Sequence, residues 1–282
     1  MRELRGRNAL VTGASGGLGE ALARRLASEG VNLVLGGTRE DALHELARTL
    51  EAQWGVRTVP APCDLAAPGA SQQVVQEAEA TLGSIDLLIN NAGREAIGPF
   101  PDFATDELTA LVAINLTAPM LLTHAALPGM LRRGCGHVVF VSSVAGKVGP
   151  PFNEPYAATK AGLIGLTQSL RAEYRGGPVG FSVVCPGFIA GDGMWERWRE
   201  RGMRSNRTMG ETTVERVVDA VLEAIRKDLA ERIESGAPIR PLLAIQQLFP
   251  RLAEAITARS VVRQLFADCA DLADAREAGS RK

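Results

Sequence analysis

Asn8-Ala-Leu-Val-Thr12-Gly13-Ala-Ser15-Gly-Gly17-Leu18-Gly19-Glu20 is the stretch on which the fold turns. Asn8 to Thr12 is an apolar run of strand length, the glycines interrupt it, and Glu20 to Glu29 has the composition of a helix. Strand, glycine-rich turn and helix in that order aim backbone N–H groups and a helix N-terminus at a pyrophosphate. In such a turn Gly13 bends the chain, Gly17 lets a phosphate approach and Gly19 packs helix on strand. Ser15 and Leu18 share the loop and are counted as candidate cofactor contacts. A glycine cluster alone also suits a merely structural turn, so the surrounding chain has to decide.

Working outward, Asn32 to Leu35 reads as a second strand, ending in Gly36-Gly37-Thr38-Arg39. An acid at this strand end would hold the 2'-hydroxyl of an NAD ribose, whereas an Arg accommodates the 2'-phosphate of NADP. Gly37 occupies the acid's place and Arg39 follows, which favours NADP, with Thr38 beside it. The alternative for Arg39 is an ordinary solvated charge at a helix start. A third strand is expected to end at Cys63-Asp64-Leu65, where Asp64 either meets an adenine amino group or caps the next turn. A fourth, Ile85 to Ile89, runs into Asn90-Asn91-Ala92-Gly93, whose two Asn are suited to stitching neighbouring strands beside a nicotinamide ribose. Strands alternating with helices imply an α/β fold, a Rossmann-like doubly wound parallel sheet with its ligand beyond the carboxyl ends of the strands.

A second site stands further along, at Ser143-Val-Ala-Gly-Lys147-Val-Gly-Pro-Pro-Phe-Asn-Glu154-Pro155-Tyr156-Ala-Ala-Thr-Lys160. His137 to Val141 is a β-branched and aromatic run, so Ser143 sits at a strand exit. Glu154 and Pro155 suit a first helical turn, and Ala157 to Leu170 continues the helix. Tyr156 and Lys160 then share one face at i and i+4. A fixed ammonium there is expected to favour the phenolate and to make the phenol a usable general acid or base. The bland alternative is a helix that happens to carry both residues.

Composition bounds the rest. The 282 residues are 46% hydrophobic and 22% charged with net charge −1, an ordinary globular balance that gives no reason to expect a nucleic-acid partner. Cys63, Cys135, Cys185 and Cys269 are scattered without a C-x-x-C or ligand-spaced His, so neither a metal site nor a disulfide framework is expected, and reduced thiols in a cytoplasmic protein fit. The N-terminal MRELRGRNALVTG lacks the apolar core of a secretory signal. Leu108 to Leu131 is uncharged and long enough to span a bilayer. Its Asn115, Pro119, His124 and Pro128 favour a buried or subunit-packed helix instead.

Together these motifs resemble the short-chain dehydrogenase/reductase family. Thr12-Gly13 to Gly19 matches the family's TGxxxGxG loop, Asn90 to Gly93 its NNAG, and Asn115 its helix Asn. Ser143 matches the strand-end Ser, Tyr156 and Lys160 the YxxxK, and Pro186-Gly187 the PG after the sixth strand. The match runs from about Arg5 to Ile189 and continues loosely to about Glu234. The resemblance implies that Tyr156 exchanges a proton with the substrate oxygen and that Lys160 lowers the Tyr pKa and holds the nicotinamide ribose. It implies further that Ser143 hydrogen-bonds the substrate oxygen and that Asn115 supports a water linking Lys160 to solvent. Asn91, Ala92, Gly93, Asp64, Leu65, Pro186, Gly187 and Ile189 complete the implied cofactor set. Three departures stand out: Gly191 replaces a Thr that helps hold the carboxamide, leaving Asp192 or the Ile189 N–H; Gly16 replaces a basic residue common in NADP enzymes; and Arg94 and Glu95 after NNAG read as substrate contacts or as a surface ion pair.

One catalytic domain over 1–236 is expected, with a substrate lid over 190–210, where Met194, Trp195 and Trp198 share a helical face. The extension over 237–282 begins with a helical stripe of Leu242, Ile245, Phe249, Leu252 and Ile256, interrupted by Pro250. It either packs on the domain, lines the substrate entrance or joins subunits, with weak attachment to a membrane surface through 241–266 as the alternative. From Ala267 onward the chain is expected to fray. The function expected is an NAD(P)-dependent oxidoreductase that interconverts a carbonyl and a secondary alcohol on a fairly apolar small molecule, as a homodimer or homotetramer. The alternative is a dinucleotide-binding sensor or scaffold without turnover.

Overall fold

The computed structural model describes residues 3–191, 194–199, 210–258 and 263–270. Its strands are β1 (Asn8–Thr12), β2 (Asn32–Gly37), β3 (Thr58–Pro62), β4 (Leu87–Asn90), β5 (Gly136–Val141), β6 (Val179–Pro186), β7 (Phe188–Ala190), β8 (Glu211–Thr213) and β9 (Glu231–Glu234). Seven of them form one parallel sheet in the order β3-β2-β1-β4-β5-β6-β9, while β7 and β8 pair separately. The order reverses between β1 and β4, the switch point beside which a doubly wound sheet binds its ligand. Both the Gly13–Gly19 turn and Asn90–Gly93 leave the sheet there.

Alternation along the strands sorts side chains into two cores. Ala9, Val11, Leu33, Leu35, Leu87 and Ile89 face one side. Helices α1 (Gly17–Ser28), α2 (Glu40–Trp54) and α9 (Val214–Lys227) cover it with Leu22, Leu26, Leu43, Leu50 and Val221. Leu10, Val34, Leu88, Val138 and Phe140 face the other side, under α3 (Ala70–Leu82), α5 (Ala118–Arg133) and α7 (Glu154–Glu173). Each fully buried Leu contributes about 1.5–3 kcal/mol relative to exposure.

Several element boundaries differ from expectation. The third strand stops at Pro62, and Asp64 lies in the following turn, where one oxygen of its carboxylate accepts from the Ala66 N–H at 3.0 Å. The single helix expected over Leu108 to Leu131 is divided into α4 (Thr105–Val112), a π-turn (Ala113–Thr117) and α5. The whole of Thr105–Arg133 is long and apolar enough to cross a membrane, but 44% of its most apolar window is buried, and Leu122, Ala126 and Met130 pack in the core.

The remaining helices are α6 (Ala145–Val148), α8 (Met194–Arg199), α10 (Arg240–Leu248) and α11 (Pro250–Ala258). Pro250 opens α11, where its missing N–H costs nothing. Ile239 and Leu243 pack on the core, whereas Leu242, Leu248, Phe249 and Leu252 are exposed. The expectation of fraying from Ala267 fails for its first residues. A helix occupies 263–270 and buries Leu265, Phe266, Cys269 and Ala270, the first three against Ile97 and Trp198, and this tertiary burial orders the segment. Asp192, residues 200–209 of the expected lid, the side chains of Met194, Trp195 and Ile256, and 271–282 lie outside the described residues.

Candidate active site

The Gly13–Gly19 turn is built so that only glycine fits at its ends. Gly13 has φ +69°, and a Cβ there would meet the Ala92 Cα and the Asn91 Nδ2, both at 3.0 Å. A Cβ on Gly19 would fall on the Gly13 carbonyl oxygen, so this residue lets helix and strand close together. Thr12 fastens the neighbouring strand end: its Oγ1 accepts from the Asn91 and Ala92 N–H groups at 3.0 Å and donates to the Ile89 carbonyl at 3.2 Å. Asn91 donates back to the Thr12 carbonyl. Asn91 thus stitches the strands as expected, but Asn90 does not: its buried amide has no hydrogen-bond partner among the described residues.

For a dinucleotide, the backbone fits. Among the described residues no side chain caps α1, so its first-turn amides around Gly17, Leu18 and Gly19 and its positive dipole end face the switch point. A Cβ on Gly37 would lie 3.0 Å from the Ser15 Oγ, so the place of an NAD-type acid is kept small. Exposed Arg39 folds over the turn, its guanidinium donating to the Ser15 carbonyl and lying where a side chain on Gly16 would stand. Thr38 and Asp64 are exposed beyond β2 and β3, and Leu65 is buried under the sheet.

At the other side of the switch point α7 carries Tyr156 and Lys160, both buried. The Lys160 Nζ lies 5.5 Å from the Tyr156 ring centroid and donates to the Val141 carbonyl at 2.9 Å. Asn115, fully buried in the π-turn, accepts from the Arg94 N–H and donates to the Arg94 carbonyl, each at 2.8 Å, and donates to the Thr159 Oγ1. A Cβ on Gly93 would sit 3.2 Å from the Asn115 Oδ1 and 3.4 Å from the Lys160 Nζ, so these three residues converge. Ser143 leaves β5 and accepts from the Ala145 N–H at 3.1 Å. Pro186 ends β6, and the N–H of Gly187 donates to the Glu234 carbonyl. Ile189 lies on β7 with its side chain partly buried against the core. At Gly191, φ is +91° and the N–H donates to Glu196.

The electrostatics correct one expectation. The Tyr156 phenol is not depressed in this structure: burial first, then the nearby Glu95 carboxylate, push it above the ordinary tyrosine range, and only the Ser143 hydrogen bond pulls it back. Burial likewise lowers Lys160 to about 8, weakening the very charge that was to act on the phenol. Sequence reasoning also passed over the Thr12 hydroxyl, whose place at a strand end beside a glycine turn was the available signal. Glu95, read as a substrate contact or a surface ion pair, accepts the Trp198 indole N–H at 2.9 Å.

A parallel sheet with a glycine turn at its switch point and a Ser, Tyr and Lys beside it defines a dinucleotide-dependent oxidoreductase. The profile of the short chain dehydrogenase family matches residues 7–202, more than half of the chain. This protein belongs to the short-chain dehydrogenase/reductase family. It is 37% identical over 255 residues to the ketoacyl reductase HetN of Nostoc sp. (strain PCC 7120), covering 89% of this chain and 88% of that one. In three dimensions it resembles a short chain dehydrogenase/reductase from Burkholderia phymatum solved with NAD (TM-score 0.79, 26% identity, 89% of this chain and 96% of that chain). It also resembles a metagenomic short-chain oxidoreductase solved with NADP (TM-score 0.70, 34% identity, 82% and 97%).

Proposed function

We propose that this chain interconverts a carbonyl and a secondary alcohol on a fairly apolar small molecule, with NADP preferred over NAD and Tyr156 as general acid and base. The observation that carries the reading is the convergence of Tyr156, Lys160, Asn115 and Gly93 across the switch point from the Gly13–Gly19 turn. When bound, the nicotinamide cofactor supplies or accepts hydride. Gly13, Ser15, Gly17, Leu18 and Gly19 hold the pyrophosphate, Thr38 and Arg39 the adenosine ribose end, and Asp64 and Leu65 the adenine. Asn91, Ala92, Gly93, Tyr156 and Lys160 hold the nicotinamide ribose, and Pro186, Gly187 and Ile189 the ring. Tyr156 gives its hydroxyl proton to the carbonyl oxygen in reduction and recovers it in oxidation. Ser143 steadies that oxygen, and Lys160 with Asn115 returns the proton toward solvent.

The missing acid at Gly37 and the Arg39 guanidinium over the turn support NADP. The ketoacyl reductase relative supports a carbonyl substrate. We place the protein in the cytoplasm, which its scattered cysteines without a C-x-x-C favour, and read it as a homodimer or homotetramer, which exposed Val112, Met120 and Leu121 on α4 and α5 favour. Sedimentation of the purified chain tests the assembly. Fluorescence titration with NADPH and NADH, followed by a panel of ketones and alcohols, tests the reaction: NADPH binds more tightly, and Tyr156→Phe loses about 10²–10⁴-fold in turnover with cofactor binding intact. Binding without turnover on any panel member, and no effect of the Tyr change, would leave a dinucleotide sensor.

A further inference from the structure

The segment after Asn90–Gly93 is held rigidly against the start of α7. The Gly98 N–H donates to the Phe152 carbonyl at 2.9 Å, and the buried Asn153 side chain donates to the Ala96 carbonyl at 2.7 Å. Phe152 itself sits at φ +62°, a left-handed conformation unfavourable for an aromatic residue, which those neighbouring bonds enforce. Ala96 packs with Tyr156 in one buried cluster, which fixes the preceding, partly buried Glu95 on the Tyr156 side of the loop. From the other side α8 approaches. Its Glu196 accepts from the Gly191 N–H at 3.2 Å, Arg199 reaches Glu211 at 3.9 Å, and buried Trp198 donates its indole N–H to Glu95 at 2.9 Å. Around that hydrogen bond Ile97, Trp198, Leu265, Phe266 and Cys269 form a small apolar cluster, with Phe152 and Phe188 packed against it.

Building on the function proposed above, we propose that Glu95 is a positioning residue which joins the substrate cover to the acid. Its carboxylate holds the Trp198 indole, and so holds α8 against the loop that packs on Tyr156, while its charge acts on the Tyr156 hydroxyl. A hydrogen bond to a carboxylate in a half-buried place is stronger than a neutral one and restrains a short helix. Among the described residues, the ionisable groups facing Tyr156 are Glu95 from the loop, Lys160 on its own helix and Cys185 on β6. After burial, Glu95 contributes most to keeping the proton on the phenol. One carboxylate thus ties closure of the cover to retention of the proton that reduction consumes.

Two conservative variants separate the two effects. Glu95→Gln keeps an acceptor for the indole and removes the charge, so the alkaline profile of tyrosinate absorbance that Tyr156→Phe removes moves to lower pH by on the order of one unit. Trp198→Phe keeps an apolar ring and removes the donor, so KM for an apolar ketone rises about fivefold or more with kcat little changed. Thermal melts and NADPH titrations matching the wild type establish that both variants fold. A Glu95→Gln profile superimposed on the wild type, or an unchanged KM in Trp198→Phe, overturns the proposal. Tyr156→Phe measured alongside keeps the two levels apart: full turnover in that variant sinks the acid-base reading itself, whereas an inactive Tyr156→Phe beside unaltered Glu95 and Trp198 variants removes only the link.

Discussion

Burial governs Lys160 before any neighbour does. Its ammonium sits 3% exposed with the Val141 carbonyl as hydrogen-bond partner, and its pKa falls from the ordinary 10.5 to about 8. Between those two values the unfolded chain binds more protons at this residue than the folded one, so stability rises with pH across that window, by up to about 3 kcal/mol for the full shift. Catalysis runs the other way. The ammonium that is to assist the phenol and grip a ribose is lost as pH climbs through about 8. On the function proposed above, the fold tolerates a destabilising charge at neutral pH that the reaction uses. Lys160→Met removes the titration: its melting temperature, followed from pH 7 to 10.5, lacks the alkaline gain that the wild type shows, and its turnover collapses. A wild type whose stability is flat across that range would contradict the assignment.

The elements show how the chain places these side chains, and which of them could be read in advance. Parallel strands buried on both faces are continuous apolar runs, so β1, β2, β4 and β5 were legible from Ala9–Val11, Leu33–Leu35, Leu87–Ile89 and Val138–Val141. The glycine turn and the Tyr156–Lys160 spacing were legible because local backbone geometry and one helical turn create them. The π-turn was not, since a widened turn inside an apolar helix leaves no compositional mark. Nor was the helix at 263–270: Leu265, Phe266, Cys269 and Ala270 keep helical spacing, but the stripe is short and two of its members are small, and its burial depends on distant Ile97 and Trp198. The direction in which Tyr156 shifts was hidden for the same reason, because desolvation depends on what packs around a residue. The π-turn nevertheless carries weight: Asn115 satisfies both backbone groups of Arg94 and the Thr159 hydroxyl. Asn115→Ala takes this partner from the half-buried Arg94 N–H and carbonyl, while Thr159 keeps its bond to the Tyr156 carbonyl, and is expected to cost about 1–3 kcal/mol, read as a lower urea midpoint with an unchanged slope.

Across the whole molecule, stability and selectivity reside in different places. The sheet and its two helix layers bury nearly all the large aliphatic residues and position every candidate cofactor contact from Gly13 to Ile189. The 263–270 helix touches none of that framework's centre. It closes the smaller cluster, where the Phe266 ring stands 6.4 Å from that of Phe188, two residues after Pro186, and where Leu265 and Phe266 cover Ile97 and Trp198. On the function proposed above, removing these two side chains opens the substrate side while leaving the Gly13–Gly19 turn and the Tyr156–Lys160 helix packed as before. The double variant Leu265→Ala/Phe266→Ala loses local burial of about 1.5–3 kcal/mol per side chain, but the sheet core that sets global unfolding keeps its packing. Its NADPH affinity stays at the wild-type value, its melting temperature falls by only a few degrees, and KM for a bulky apolar ketone rises about tenfold while that for a small ketone moves far less. Equal losses on both ketones, or a cofactor affinity that falls with them, would place this helix in the common scaffold rather than over the substrate.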